Sequence, residues 1–173
     1  WYAFRKICPH DSKNRPAELP EIIATSLATI ILVYIVLAII GPLWISLLNL
    51  VGYEYVEQDL VSQLRDGGSA LELAMMGILI IVIAPVCEEV AYRGTLYRFM
   101  NGKMPAWLAV VIPSALFSIS HANVYASIPL FILGVSLSLV YKRTGSLLTC
   151  ILVHGLVNSV TFVGLLYPQL FSQ

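Results

Sequence analysis

Long apolar runs separated by short polar segments dominate the chain. A spanning helix needs about 20 mainly apolar residues, and five segments approach or exceed that length. The first covers residues 21–50, where Gly41 and Pro42 predict a kink or break. The second starts near Ser69, because Ser69-Ala70-Leu71-Glu72 has the pattern of a capping box. It runs through Pro85 and on to about residue 100. The remaining three cover about 105–121, 127–141 and 146–166. Between the first two, Leu60, Val61 and Leu64 repeat at helical spacing in a polar setting, which predicts a short surface helix. The expectation is an all-α polytopic membrane bundle of about five transmembrane helices. It forms one membrane domain over 1–173, with a polar arm at 1–20 and no linker or internal repeat.

Composition strengthens this reading. Hydrophobic residues make up 58% of the 173 and charged residues only 12%, where a soluble domain carries about 25% charged. The formal net charge is zero, so nothing favours nucleic acid as a partner; the lipid bilayer is the expected one. Lys and Arg are concentrated in the N-terminal arm (Arg5, Lys6, Lys13, Arg15), after the second segment (Arg93, Arg98, Lys103) and after the fourth (Lys142, Arg143). Residues 52–68 are acidic, with Glu54, Glu57, Asp59 and Asp66. Basic loops stay in the cytoplasm, so the N-terminus is expected inside and the C-terminus outside. The chain opens on Trp1 rather than methionine, as expected of a piece of a longer protein. Cys8, Cys87 and Cys150 form no CxxC pair and read as packing residues.

Few ionisable side chains remain in the apolar segments, and they come in sets. Glu88 and Glu89 are followed by Arg93; Phe117 by Ser118, Ser120 and His121; His154 by Asn158. Glu89/Arg93, Phe117/His121 and His154/Asn158 are spaced i, i+4, so each pair shares a helix face. If the second helix continues past Arg93, Glu88 and His121 lie roughly 23 and 27 Å from a turn at Lys103, a similar depth. Each residue also has a plainer reading. Glu89 and Arg93 form an ion pair that makes burial tolerable. A lone membrane histidine or asparagine is a hydrogen-bonding contact between helices, and His10 sits in the solvated arm. Glu88 resists such a reading, because positions 84 and 92 are Ala and Tyr. An intramembrane carboxylate without a partner points to function.

These three sets, CEEVAYRG, FSISH and HGLVN, resemble in order and spacing the motifs EExxxR, FxxxH and HxxxN of the CPBP family. That family groups type II CAAX prenyl endopeptidases with bacteriocin-processing and immunity-related membrane proteins. The resemblance covers about residues 69–165, the expected catalytic core. It implies an intramembrane endopeptidase of the bacterial cytoplasmic membrane, acting on a membrane-associated peptide or protein, prenylated or not. By the same resemblance Glu88 is the base that activates water and His121 helps hold that water. His154 and Asn158 stabilise the oxyanion, with Glu89, Arg93 and Phe117 in support.

Several alternatives stay open at this level. Metal-free hydrolysis is the favoured mechanism, with no cofactor. Zinc held by Glu88, His121 and His154 is the competing one, since two His and one Glu are a legitimate zinc set. Cys150, four residues before His154, could act as a nucleophile on the same face. Outside catalysis, the polar residues could line a binding pocket in a membrane immunity or scaffold protein.

Overall fold

The computed structural model describes residues 18–54, 62, 68–167 and 169. Most of the polar arm, with Cys8 and His10, and the surface helix expected around Leu60, Val61 and Leu64 lie outside the described residues. Among the described residues, five long helices follow one another: α1 Leu19–Leu50, α2 Ala70–Met100, α3 Ala106–Ser120, α4 Val124–Thr144 and α5 Leu147–Leu166. Four of them are long and apolar enough to cross a membrane; α3 is shorter. The chain is an integral membrane protein of the polytopic all-α class. Helix α4 packs on α3 and α1, and α5 packs on α1, α2 and α4.

Burial runs opposite to that of a soluble bundle. Leu27, Ile31, Ile35, Ile39 and Leu43 face outward from α1. Glu89, Arg93, Ser114, Ser138, Thr149 and His154 are buried between helices. Hydrocarbon accepts the apolar surface, whereas polar groups must find partners inside the protein.

Local chemistry sets the helix ends and irregularities. Ser69 and Glu72 make the expected capping box at the start of α2. Gly41 and Pro42 do not break α1, which continues as one helix through both. Proline removes one hydrogen bond, whereas a break would expose several more backbone groups to hydrocarbon.

Helix α2 widens twice into π-helical turns, over Leu79–Ile83 and Val90–Tyr97. Pro85 accounts for the first. It has no N–H and its ring crowds the carbonyl four residues back. The Ala84 N–H bonds to Leu79 O, which leaves the Ile80 and Ile81 carbonyls turned toward α5. A Cβ on Gly155 would lie 2.7 Å from Ile81 O, so only glycine lets α5 come this close. Asn158 Nδ2 then donates to Ile80 O at 2.9 Å. In the second turn, Thr95 Oγ1 donates to Val90 O at 3.0 Å.

Helix α3, the third expected span, is only 15 residues, or about 22 Å, against about 30 Å of hydrocarbon. Side chains end it. Ser120 Oγ donates to Phe117 O at 2.8 Å, and His121 Nδ1 donates to the same carbonyl at 2.7 Å. These bonds compete with the helical ladder. Ala122 follows in the left-handed region at φ 49°.

Candidate active site

Helix α2 passes Arg93 without a break, so Glu88, Glu89 and Arg93 stand within the bundle beside α5. Glu89 and Arg93 are both fully buried, with Nη1 2.7 Å from Oε1. The other arm of the guanidinium, Nη2, donates to Gly134 O on α4 at 2.9 Å. Gly134 lies where α3 and α4 cross, and a Cβ there would come within 3.0 Å of Ser114 Cα. The guanidinium also stands over the Phe117 ring at 5.1 Å. The buried charge is thus held by a carboxylate, a carbonyl and an aromatic face.

Glu89 has a second partner. His154 Nδ1 lies 2.9 Å from the same Oε1. The carboxylate accepts, so Nδ1 carries the proton, and the tautomer and ring direction follow from that bond. The opposite nitrogen, Nε2, then faces Glu88 Oε2 at 3.6 Å, beyond hydrogen-bond length. His154 is almost wholly buried, while Glu88 keeps 28% of its side chain exposed. Adjacent glutamates therefore differ: one is enclosed between Arg93 and His154, and the other borders accessible space beside Nε2.

Phe117 joins the two histidines. Its ring is fully buried and meets His121 at 4.8 Å and His154 at 5.5 Å between centroids, both edge-on. Tyr92 packs against Phe117 at 5.4 Å, and its hydroxyl donates to Ser120 Oγ at 2.9 Å. Asn158 sits one turn beyond His154, held to Ile80 O by one of its two amide protons.

Cys150 is buried and its Sγ donates to Leu137 O at 3.5 Å; Cys87 is exposed. Among the described residues, no three His, Cys, Asp or Glu side chains are grouped to hold a metal ion. A groove of about 460 Å³ between α1 and α4, with Thr25, Thr29, Ser136 and Arg143 in its lining, includes none of the motif residues. Sequence reasoning missed the Glu89–His154 bond, the Gly134 acceptor and the Ile80 acceptor. A signal for the last was present, since a mid-membrane proline frees carbonyls that a nearby asparagine can satisfy.

Residues 70–160 match the type II CAAX prenyl endopeptidase Rce1-like family. The chain is 32% identical over 90 residues to UPF0177 protein YbdI of Lactococcus lactis, covering 50% of this chain and 46% of that protein. It is 30% identical over 95 residues to an uncharacterized 24.3 kDa protein of Escherichia coli, covering 52% and 42%. A Mycoplasma capricolum protein is 30% identical over 113 residues, covering 62% and 33%. The chain thus spans less than half the length of these relatives. No solved structure matches it.

Proposed function

Since the chain belongs to the type II CAAX prenyl endopeptidase Rce1-like family, we propose that it is an intramembrane endopeptidase in which Glu88 activates the hydrolytic water. Its substrate is a membrane-associated peptide or protein, prenylated or not. The observation that carries this reading is the unequal placement of the two glutamates. Glu89 is enclosed by Arg93 and His154, whereas Glu88 is part-exposed with Oε2 3.6 Å from His154 Nε2. Amide hydrolysis needs a base for the water and donors for the developing oxyanion.

Glu88 takes a proton from water as the hydroxide attacks the carbonyl carbon, and returns it to the leaving amine. His121 donates Nδ1–H to Phe117 O, which leaves Nε2 as the basic nitrogen to orient the water. To donate through Nε2 as well as Nδ1, His154 must carry both ring protons, and Glu89 is its counter-charge. Asn158 offers its second amide proton to the oxyanion. Arg93, Glu89 and Phe117 hold the histidine in place. The basic loops favour an N-terminus on the cytoplasmic side of a bacterial membrane, in keeping with bacterial relatives.

The test is cleavage of a prenylated reporter peptide by the detergent-solubilised chain, run with and without chelator. Glu88→Gln should lose cleavage while keeping the parent's thermal midpoint; His121→Ala and His154→Ala should lose cleavage too, His154→Ala with a lowered midpoint because buried Glu89 loses a partner. Parent-like cleavage by Glu88→Gln would remove it as the base. Loss of the parent's activity on chelation would favour the zinc mechanism. Binding without cleavage, unaffected by Glu88→Gln, would favour the scaffold class.

A further inference from the structure

Three of the four proposed catalytic residues are fixed by the helices that carry them. Glu88 is inside α2, and His154 and Asn158 are inside α5. His121 is different: it is the C-cap of α3, at the start of the turn into α4. The next residue, Ala122, is left-handed, and Asn123 is extended. His121 keeps αR angles and its ring is bonded back to Phe117 O, but helical geometry does not set the two residues that follow, so the seat of this helix end and its imidazole depends also on what holds the turn.

We infer that Trp44 and Tyr125 are positioning residues for His121, and that α1 is through them a working part of the site. The inference rests on the reading of His121 given above. Trp44 Nε1, in the C-terminal quarter of α1, donates to Val124 O at 3.1 Å. Tyr125 reaches back the other way. Its hydroxyl donates to Tyr53 O at 3.1 Å, with Asn49 Oδ1 a longer alternative at 3.5 Å. The Tyr53 and Tyr125 rings pack at 5.7 Å. The residues that follow His121 are therefore tied to α1 and its C-terminal extension at two points. On the inner side, Ser118 Oγ donates to Ser127 O at 2.7 Å and closes the turn on itself.

Interfacial Trp and Tyr commonly serve as membrane anchors, with their polar ends toward the headgroups. Here both polar ends are spent on backbone carbonyls of this chain. Indole N–H is donor-only, so Trp44 specifies one acceptor on one turn. Helix α1 lies outside residues 70–160, the part that matches the family. Another long-range bond from α1, Tyr34 OH to Val157 O at 3.2 Å, falls beside Asn158. The Trp44 and Tyr34 bonds to backbone carbonyls each land within three residues of a proposed catalytic side chain.

The chain has three histidines, His10, His121 and His154, so imidazole nitrogen resonances of ¹⁵N-histidine-labelled protein in micelles report each one. Trp44→Phe keeps the ring and removes the donor; Tyr125→Phe keeps the packing on Tyr53 and removes the hydroxyl. In each, the His121 resonances should shift or broaden while those of His154, held by Glu89, stay in place. Trp107→Phe, on the exposed side of α3, should leave both unchanged. In the cleavage assay, the two variants should lower kcat by about 10- to 100-fold with KM unchanged, the size expected from a small misplacement of a catalytic group. His121 resonances unmoved in the Trp44→Phe/Tyr125→Phe double variant would overturn the inference. So would equal movement of His121 and His154, which marks a general loosening. If one variant does not fold, the other decides on the same criteria. The resonances are read without substrate, so a parent that cleaves nothing refutes the proposed activity and leaves the positioning test standing.

Discussion

Arg93→Met tests whether the buried ion pair is a structural centre of the bundle. The guanidinium makes a 2.7 Å bond to Glu89 and a 2.9 Å bond to Gly134 O, with no side-chain exposure. Methionine fills much of the same volume, so a cavity contributes little. The cost comes from the stranded groups. Breaking a buried pair by removing one partner costs about 3–5 kcal/mol. The remaining Glu89–His154 bond pulls the value toward the lower end, and the abandoned Gly134 carbonyl pulls it upward by about 1 kcal/mol or more. Glu89→Gln strands Arg93 in the same way. Removing both charges should be far milder than either single change implies, because a buried pair replaced by apolar or neutral groups is often close to neutral. The double-mutant cycle should thus show coupling of about 2 kcal/mol or more between the two sites. The assay is reversible unfolding from mixed micelles by added SDS, followed by tryptophan fluorescence. An Arg93→Met loss below about 1 kcal/mol, or coupling near zero, would refute the argument, since both follow from desolvated charges left alone.

Further outcomes follow from the contact between α2 and α5. Gly155→Ala places a Cβ against Ile81 O; it should cost about 1–3 kcal/mol in the same titration, as overpacking does, and weaken cleavage by moving α5. Asn158→Ala should lower the cleavage rate by about 100- to 1000-fold, the usual effect of losing one oxyanion donor. It should also destabilise by about 1–3 kcal/mol by stranding Ile80 O. That second penalty should shrink in a Pro85→Ala background, where the residue-85 N–H can take Ile81 O and the relaxed turn returns Ala84 N–H to Ile80 O; an equal penalty in both backgrounds would contradict the role given to Pro85. Ala122→Gly should stabilise the chain by up to about 1 kcal/mol by relieving a left-handed alanine, measured by thermal shift.

What the sequence determined by itself was local. Apolar run length marks α1, α2, α4 and α5. The Ser69–Glu72 pattern marks where α2 begins, and the spacing of Glu89 and Arg93 brings them to one face. Each depends on neighbours within a turn or two, where geometry is nearly constant. The pairing of Glu89 with His154, 65 residues away, was beyond that reach. So were the carbonyls of Gly134 and Ile80, which have no side-chain identity to read. Soluble helices reveal their inward face by polarity, but here the outward face is as apolar as the inward one, so rotation about each axis is poorly marked. The end of α3 shows the same limit. An apolar run says how far a helix could extend, while side chains bonding back to the Phe117 carbonyl decide where it stops. Only the packed bundle, with α1 tied to the turn after His121, decided which groups face one another.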